Sequence, residues 1–266
     1  MDKLNGVEDT LFIPLVGRIY SSKCYKEFFY DEKALELEKY IKDDLIKENT
    51  GEYFTLASIS RFYELDRLAA AFIQKYKACN IISLGCGLET MYFRLRDKRA
   101  TYYEIDFPSV IEQRRIALGE NENEVLIGSN ILDFSWIDKI DTKRPSLIIA
   151  SGVFQYLHHA DVISIINQIK ARFSVAELAF DATNKSGIKG AEKYVKKTGN
   201  TSAMMYFYIG SIEKFVKESN TTLIRKIPFY KNATRILKGK LKLSTRVTCF
   251  FGDRLGFTKL LYLKIK

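Results

Sequence analysis

From Asn80 to Asp181 the chain alternates between short apolar runs and amphipathic stretches. The apolar runs occupy 80–84, 100–105, 124–128, 146–150 and 175–181. Their length and bounding turn residues predict strands, and the intervals predict helices over about 88–96, 108–117 and 160–172, with a short turn at Trp136-Ile137. Uniformly apolar strands separated by helices predict a mostly parallel sheet covered on both faces. Upstream, Asp31 opens a helix carrying Leu35, Leu37, Tyr40, Ile41 and Leu45 that ends near Asn49-Thr50-Gly51. A second helix, from about Ser60 to Lys77, carries Phe62, Leu65, Leu68, Ala69 and Phe72 at three-to-four spacing. Residues 185–220 read as polar and helical, with Tyr194, Met204, Met205, Tyr206, Phe207 and Tyr208 interspersed. Two late strands, Leu223 to Phe229 and Phe257 to Ile265, flank a basic stretch around Arg235 to Arg246 and predict an antiparallel pair finishing the sheet. The chain thus divides into a helical cap over 1–79, a nucleotide-binding core over 80–184, a basic and aromatic lid over 185–220, and a strand pair with a basic insertion over 221–266.

The first predicted strand, Ile81-Ile82-Ser83-Leu84, runs straight into Gly85-Cys86-Gly87, and Asp106 closes the second strand nineteen positions after Gly87. Two glycines allow a sharp turn and let a ligand approach the backbone, while a carboxylate at the next strand tip can accept both ribose hydroxyls of a nucleoside. The third glycine of a dinucleotide fingerprint would fall at Thr90. That glycine serves a pyrophosphate, so a nicotinamide-dependent oxidoreductase fits less well than a protein binding a nucleoside without one. S-adenosylmethionine is such a ligand. Gly85, Gly87, Asp106, Asn130 and Ser151 all fall at carboxyl ends of predicted strands, where open parallel sheets bind ligands.

The 266 residues suffice for a well-buried core, with 47% hydrophobic and 28% charged residues. Neither a signal peptide nor a membrane span is expected, because the acids Asp2, Glu8 and Asp9 come first and the run Leu11 to Val16 is short and broken by Pro14. Cys24, Cys79, Cys86 and Cys249 are scattered, and His158 and His159 are the two histidines, so a metal site is not expected. Free thiols suit a cytoplasmic setting. The net charge of +10 is uneven: residues 185–266 hold 19 Lys and Arg against 4 Asp and Glu. Such asymmetry points to an anionic partner or to a solvated basic face.

Taken together, several short pieces resemble the leucine carboxyl methyltransferase superfamily, and more closely its bacterial branch of polyketide O-methyltransferases. They are Thr10 to Arg18, Asp31-Glu32-Lys33-Ala34, Arg61 with Asp66, Ser83 to Thr90 with Arg94-Leu95, and Tyr103 to Pro108. Gly128-Ser129-Asn130-Ile131 before Trp136, Gly152 to Leu157, and Glu177 to Asp181 complete the set. The resemblance implies a Rossmann-like class I methyltransferase fold, with a seven-stranded mostly parallel sheet, an antiparallel last strand, a helical N-terminal cap and an inserted helical lid. It implies that Gly85 and Gly87 lie along the cofactor's methionine part, with Thr90 also in the cofactor site, that Asp106 holds the ribose, and that Asn130 and Ile131 flank the adenine. Arg61 matches an arginine that pairs with the cofactor's carboxylate, a task suited to a guanidinium fork. Two positions depart from the pattern: Asn130 stands where the family usually has Asp, and Ser151 where it usually has Glu.

Methyl transfer from a sulfonium asks the protein chiefly for alignment in a water-poor cleft. A carboxylate acceptor needs no base; a phenol or alcohol would need one, and Tyr156, His158 and His159 are the candidates. The expected activity is O-methylation of a carboxylate or phenolic hydroxyl on a small anionic metabolite. A homologue that binds but does not catalyse is the alternative, carried by Ser151. Nucleic acid is not an expected partner, because no Pro-Cys or Asn/Asp-Pro-Pro-aromatic motif follows the fourth strand.

Overall fold

A computed structural model of the protein describes residues 11–41, 51–197 and 204–266. Thr10 and the Leu45 to Thr50 end of the helix expected from Asp31 lie outside those residues; within them that helix stops at Leu37, a single tighter turn follows to Tyr40, and Ile41 is already extended. Seven strands form one sheet: β1 (Cys79–Leu84), β2 (Ala100–Asp106), β3 (Glu124–Gly128), β4 (Ser146–Ala150), β5 (Ala176–Thr183), β6 (Thr222–Pro228) and β7 (Thr258–Lys264). Their order is β3-β2-β1-β4-β5-β7-β6. The first five strands run parallel, and β7 lies antiparallel between β5 and β6. After β3 the chain crosses back to the other side of β1, which makes the gap between β1 and β4 the point where strand order reverses. Ligands of such sheets bind there.

The helices are α1 (Phe12–Cys24), α2 (Glu32–Leu37), α3 (Glu52–Tyr76), α4 (Met91–Leu95), α5 (Pro108–Leu118), α6 (His159–Arg172), α7 (Lys185–Lys197), α8 (Ile212–Glu218), α9 (Lys231–Ile236) and α10 (Leu243–Leu255). Asp31 caps α2 as its sequence position suggests, accepting from the Ala34 N–H. α3 begins eight residues before the expected Ser60, because Leu56 and Ile59 extend its buried stripe by two more turns. It ends at Lys77, whose φ is +58°. α4 is shorter than expected, since Gly85 to Thr90 remain in the turn after β1.

One core layer joins α3 to the sheet face carrying Ile81, Tyr102, Leu147 and Leu260. The opposite layer joins Ile82, Ile105, Ile148 and Phe180 to α6 and to Phe207 and Phe215. The segment 204–210 is not helical, contrary to the pattern-based reading; its backbone runs along the core, with Phe207 and Ile209 buried. No helix among the described residues is long and apolar enough to cross a membrane.

Candidate active site

The turn after β1 depends on its two glycines. Gly85 and Gly87 have φ of +63° and +52°, a region costly for residues with a Cβ. A Cβ on Gly85 would sit 2.5 Å from Val153 Cγ2, and one on Gly87 would sit 2.6 Å from Leu11 Cδ2. Asp106, at the tip of β2, reaches back to this turn: one carboxylate oxygen accepts from the Gly87 N–H at 2.8 Å, the other from Phe107 N–H at 2.8 Å. Strand tip and turn are therefore one unit.

Buried arginines hold the turn from its carbonyl side. Arg18, from α1, donates to the Leu88 carbonyl at 2.7 Å, to Thr90 Oγ1 and to Asp31. Arg114, from α5, donates to the carbonyls of Gly87 at 3.2 Å and Glu89 at 2.5 Å, and to Glu124. Three successive carbonyls are thus anchored by two guanidinium groups. Arg94 completes the clamp with a two-pronged pair to Asp66 of α3, both contacts 2.8 Å, and further contacts to Asp31 and Glu89. Burial opposes ionisation of Asp31 and Glu89, but the neighbouring arginines outweigh it and hold both carboxyls below their usual range. Burial pushes Glu104, on β2 beside Arg114, up to about 7; Arg114 opposes the rise and Glu124 adds to it. The Cys86 thiol is buried and its pKa pushed well above the ordinary value by that burial, which leaves it a neutral packing group.

Across the switch point, the turn after β4 supplies the other wall. Gly152 has φ of +73°, and its N–H donates to Asp181 Oδ1 at 2.6 Å. Asp181 Oδ2 also accepts from Arg61 at 3.3 Å, so a single carboxylate ties α3 to the β4 turn. Arg61 Nε and Ser151 Oγ are buried with no hydrogen-bond partner. Buried donors without partners are uncommon, and a carboxylate brought to this wall would satisfy them.

A cavity of about 740 Å³ opens over these turns. Arg61, Gly85, Gly87, Asp106, Asn130, Ile131, Ser151 and Tyr156 all line it. Thr90 does not: it is fully buried beneath the turn, its hydroxyl shared between Arg18, Arg94 and Asp31. His158 and His159 are also off the lining. His158 sits at the start of α6, its N–H bonded to Asp161, and the His159 ring faces Glu218 at 2.9 Å. Asn130 Oδ1 accepts from the Leu132 N–H at 3.0 Å, which leaves its amide nitrogen as a donor and a second lone pair on the oxygen.

The far end of the cavity is aromatic. Phe54 of α3 and Tyr194 of α7 stack at 3.8 Å, and the Tyr230 hydroxyl donates to Tyr53 at 3.0 Å. Burial pushes the phenols of Tyr53, Tyr194 and Tyr230 above their ordinary range, so all three stay neutral at pH 7. Met205, Phe229 and Phe257 complete this end. Neither lysine nor histidine lines the cavity among the described residues. Arg18, Asp31, Arg114 and Asp181 carry the geometry, and sequence reasoning had assigned none of them this task. One signal was available: Glu104 sits inside an apolar strand run, and a buried acid requires a buried cation.

The leucine carboxyl methyltransferase family model matches residues 23–170. The tetracenomycin polyketide synthesis O-methyltransferase TcmP of Streptomyces glaucescens is 26% identical over 79% of this chain and 77% of its own length. An S-adenosyl-L-methionine-dependent methyltransferase, dpfgK of Gibberella zeae, is 25% identical over 67% of each chain. Leucine carboxyl methyltransferase 1 of Bos taurus is 30% identical over 42% of this chain and 45% of its own. Among solved structures, a DUF574 family protein from Streptomyces avermitilis aligns over 93% of this chain and 96% of its own, with a TM-score of 0.58 at 11% identity. The N-methyltransferase NodS from Bradyrhizobium japonicum aligns over 88% and 98%, with a TM-score of 0.50 at 12% identity. These structures share the fold.

Proposed function

The chain belongs to the leucine carboxyl methyltransferase family, an S-adenosylmethionine-dependent methyltransferase, and from that premise we propose that it methylates an oxygen of a small aromatic acceptor. Bound S-adenosylmethionine supplies a methyl group made electrophilic by a sulfonium. The residues fit that ligand. Asp106 offers carboxylate oxygens to the ribose, and the glycine turn offers a surface free of Cβ atoms. The Nε–H of Arg61 and the hydroxyl of Ser151 are donors lacking partners at the position suited to a carboxylate. Asn130 and Ile131 edge the remaining face for the adenine.

The observation that carries the acceptor reading is the aromatic end of the cavity, with its neutral tyrosines and its lack of any lining histidine. Asp181 is committed to Arg61 and Gly152 and both histidines lie off the lining, which leaves Tyr156 as the one candidate general base that lines the cavity among the described residues. An acceptor oxygen that arrives already ionised needs none. A carboxylate or an acidic phenol meets this condition, and its charge is attracted to the sulfonium, which explains a wall without lysine. The stacked Phe54 and Tyr194 would align a ring, and alignment is the protein's main contribution to an in-line displacement. α7, which carries Tyr194, acts in this reading as the lid that excludes water. The relatedness to a polyketide O-methyltransferase supports a polyketide-like acceptor. Four unpaired thiols support work in a reducing cytoplasm.

Incubation with S-adenosylmethionine and a panel of aromatic carboxylates, acidic phenols and alkyl alcohols tests the reading. Mass spectrometry should find one added methyl on the first two classes, with methyl esters released by mild base. Methylation confined to amines or alkyl alcohols would overturn it.

A further inference from the structure

The basic insertion between β6 and β7 lends Phe229, Tyr230 and Phe257 to the cavity, but its outer helix α10 takes no part there and carries an unusual surface. α10 turns Thr245, Cys249 and Gly252 inward, where Gly252 meets the Tyr230 ring. Its opposite side carries Leu243, Val247, Phe250, Phe251 and Leu255, which are between 46% and 71% exposed. Spaced at intervals of three and four, they form one outward apolar stripe, where a surface helix ordinarily presents polar groups. The insertion that carries the stripe is basic, although its Lys240 is paired with Glu27. Between Phe229 and Phe257 the chain holds seven Lys or Arg and one acid, Asp253. Asp253 turns inward, accepting from the N–H groups of Phe229 and Tyr230. Arg254 sits within the apolar arc itself, and Lys238, Lys242 and Arg235 are exposed beside it.

We propose that this face of α10 docks the protein on the anionic surface of a lipid bilayer. A convex helix with adjacent phenylalanines, an aliphatic remainder and a cationic rim has the composition of helices that lie in the bilayer interface. Apolar side chains enter the acyl boundary while lysines and arginines meet the phosphates of an anionic surface. Charge disfavours a second copy of this chain as the occupant, because an isologous contact would press two such cationic rims together. It disfavours an uncharged bilayer for the complementary reason. An acidic protein would satisfy the rim, but a helix exposing five apolar side chains on a convex face would need a groove to receive them.

The full chain, sedimented with vesicles of equal parts phosphatidylglycerol and phosphatidylcholine, tests the proposal. The protein should pellet with these vesicles and remain in solution with pure phosphatidylcholine. The double variant Val247→Ser, Phe250→Ser keeps every charge, and it should weaken vesicle binding at least about tenfold with its melting temperature and S-adenosylhomocysteine affinity unchanged. Reversing charge with Arg254→Glu should weaken binding and flatten its salt dependence. Equal pelleting of the parent and the serine variant would overturn the proposal, since any basic protein adheres weakly to anionic vesicles. A parent that ignores vesicles but elutes as a dimer dissociated by Phe250→Ser would also overturn it, as would binding to polyglutamate without binding to vesicles.

Discussion

Asp106 joins two tasks in one side chain: it closes β2 and holds the glycine turn through the Gly87 N–H. On the proposed role of Asp106 at the ribose, loss of its carboxylate would remove two charge-assisted bonds, each worth about 1.5–3 kcal/mol, so Asp106→Ala should weaken cofactor binding by roughly a hundredfold or more. Gly85→Ala adds a Cβ at φ of +63° and into Val153, and should cost at least about 1–2 kcal/mol of stability, read by denaturant unfolding. Glu104 gives a pH signature. Its folded-state pKa is raised to about 7, so the proton it retains favours the folded state at low pH. That contribution is complete below the unfolded value near 4.5 and is lost as pH rises through about 7. The stability of the parent relative to Glu104→Gln should therefore fall across this window and level off above it. A difference that is flat with pH would show that Glu104 keeps an ordinary pKa. The glycines and Asp106 were legible as residues because their chemistry is local to a strand end, whereas Arg61, inside α3, came only from the family resemblance. Thr90 was legible only as a position: besides Arg94 four residues on, its hydroxyl meets Arg18 and Asp31 from the cap, which no local pattern encodes.

The glycine turn is supported as an element, through carbonyls rather than side chains. Arg18 reaches it from the cap and Arg114 from α5, while Arg94 binds α3 through Asp66. Removing one member of a buried ionic cluster strands its partners, typically at a cost of about 3–5 kcal/mol. Arg18→Met should accordingly lower stability by that order in urea titration. Because the cap and turn then separate, S-adenosylhomocysteine should also restore less stability to the variant than to the parent. Helix and strand order followed from periodicity, whose physical basis is burial on one face or both. Boundaries followed less well. The early start of α3 rests on Leu56 and Ile59 meeting a core assembled from distant strands, and the extended run at 204–210 rests on Phe207 finding Phe180 and Phe215. Those are tertiary contacts, and intrinsic propensity does not foresee them.

For the whole molecule, the parallel sheet with its antiparallel seventh strand was legible because β1, β2, β4 and β5 are buried on both faces and the last two strands flank a basic insertion. The location of the site followed from that topology, since the order reverses between β1 and β4 and both carboxyl ends carry glycine turns. The cavity's aromatic end was not legible, because Phe54, Tyr194, Tyr230 and Phe257 come from four separate segments. The charge asymmetry was visible in the sequence, but its pairing with an outward apolar stripe needed the orientation of α10. At this scale everything rests on the turn after β1 and the acid ending β2 together holding an adenosine-bearing methyl donor. Calorimetric titration of S-adenosylhomocysteine into the parent and into folded Asp106→Ala tests it most directly. Saturable one-to-one binding by the parent, weakened about a hundredfold or more in the variant, is the predicted result; equal affinity in both, or no binding by a folded parent, would contradict it.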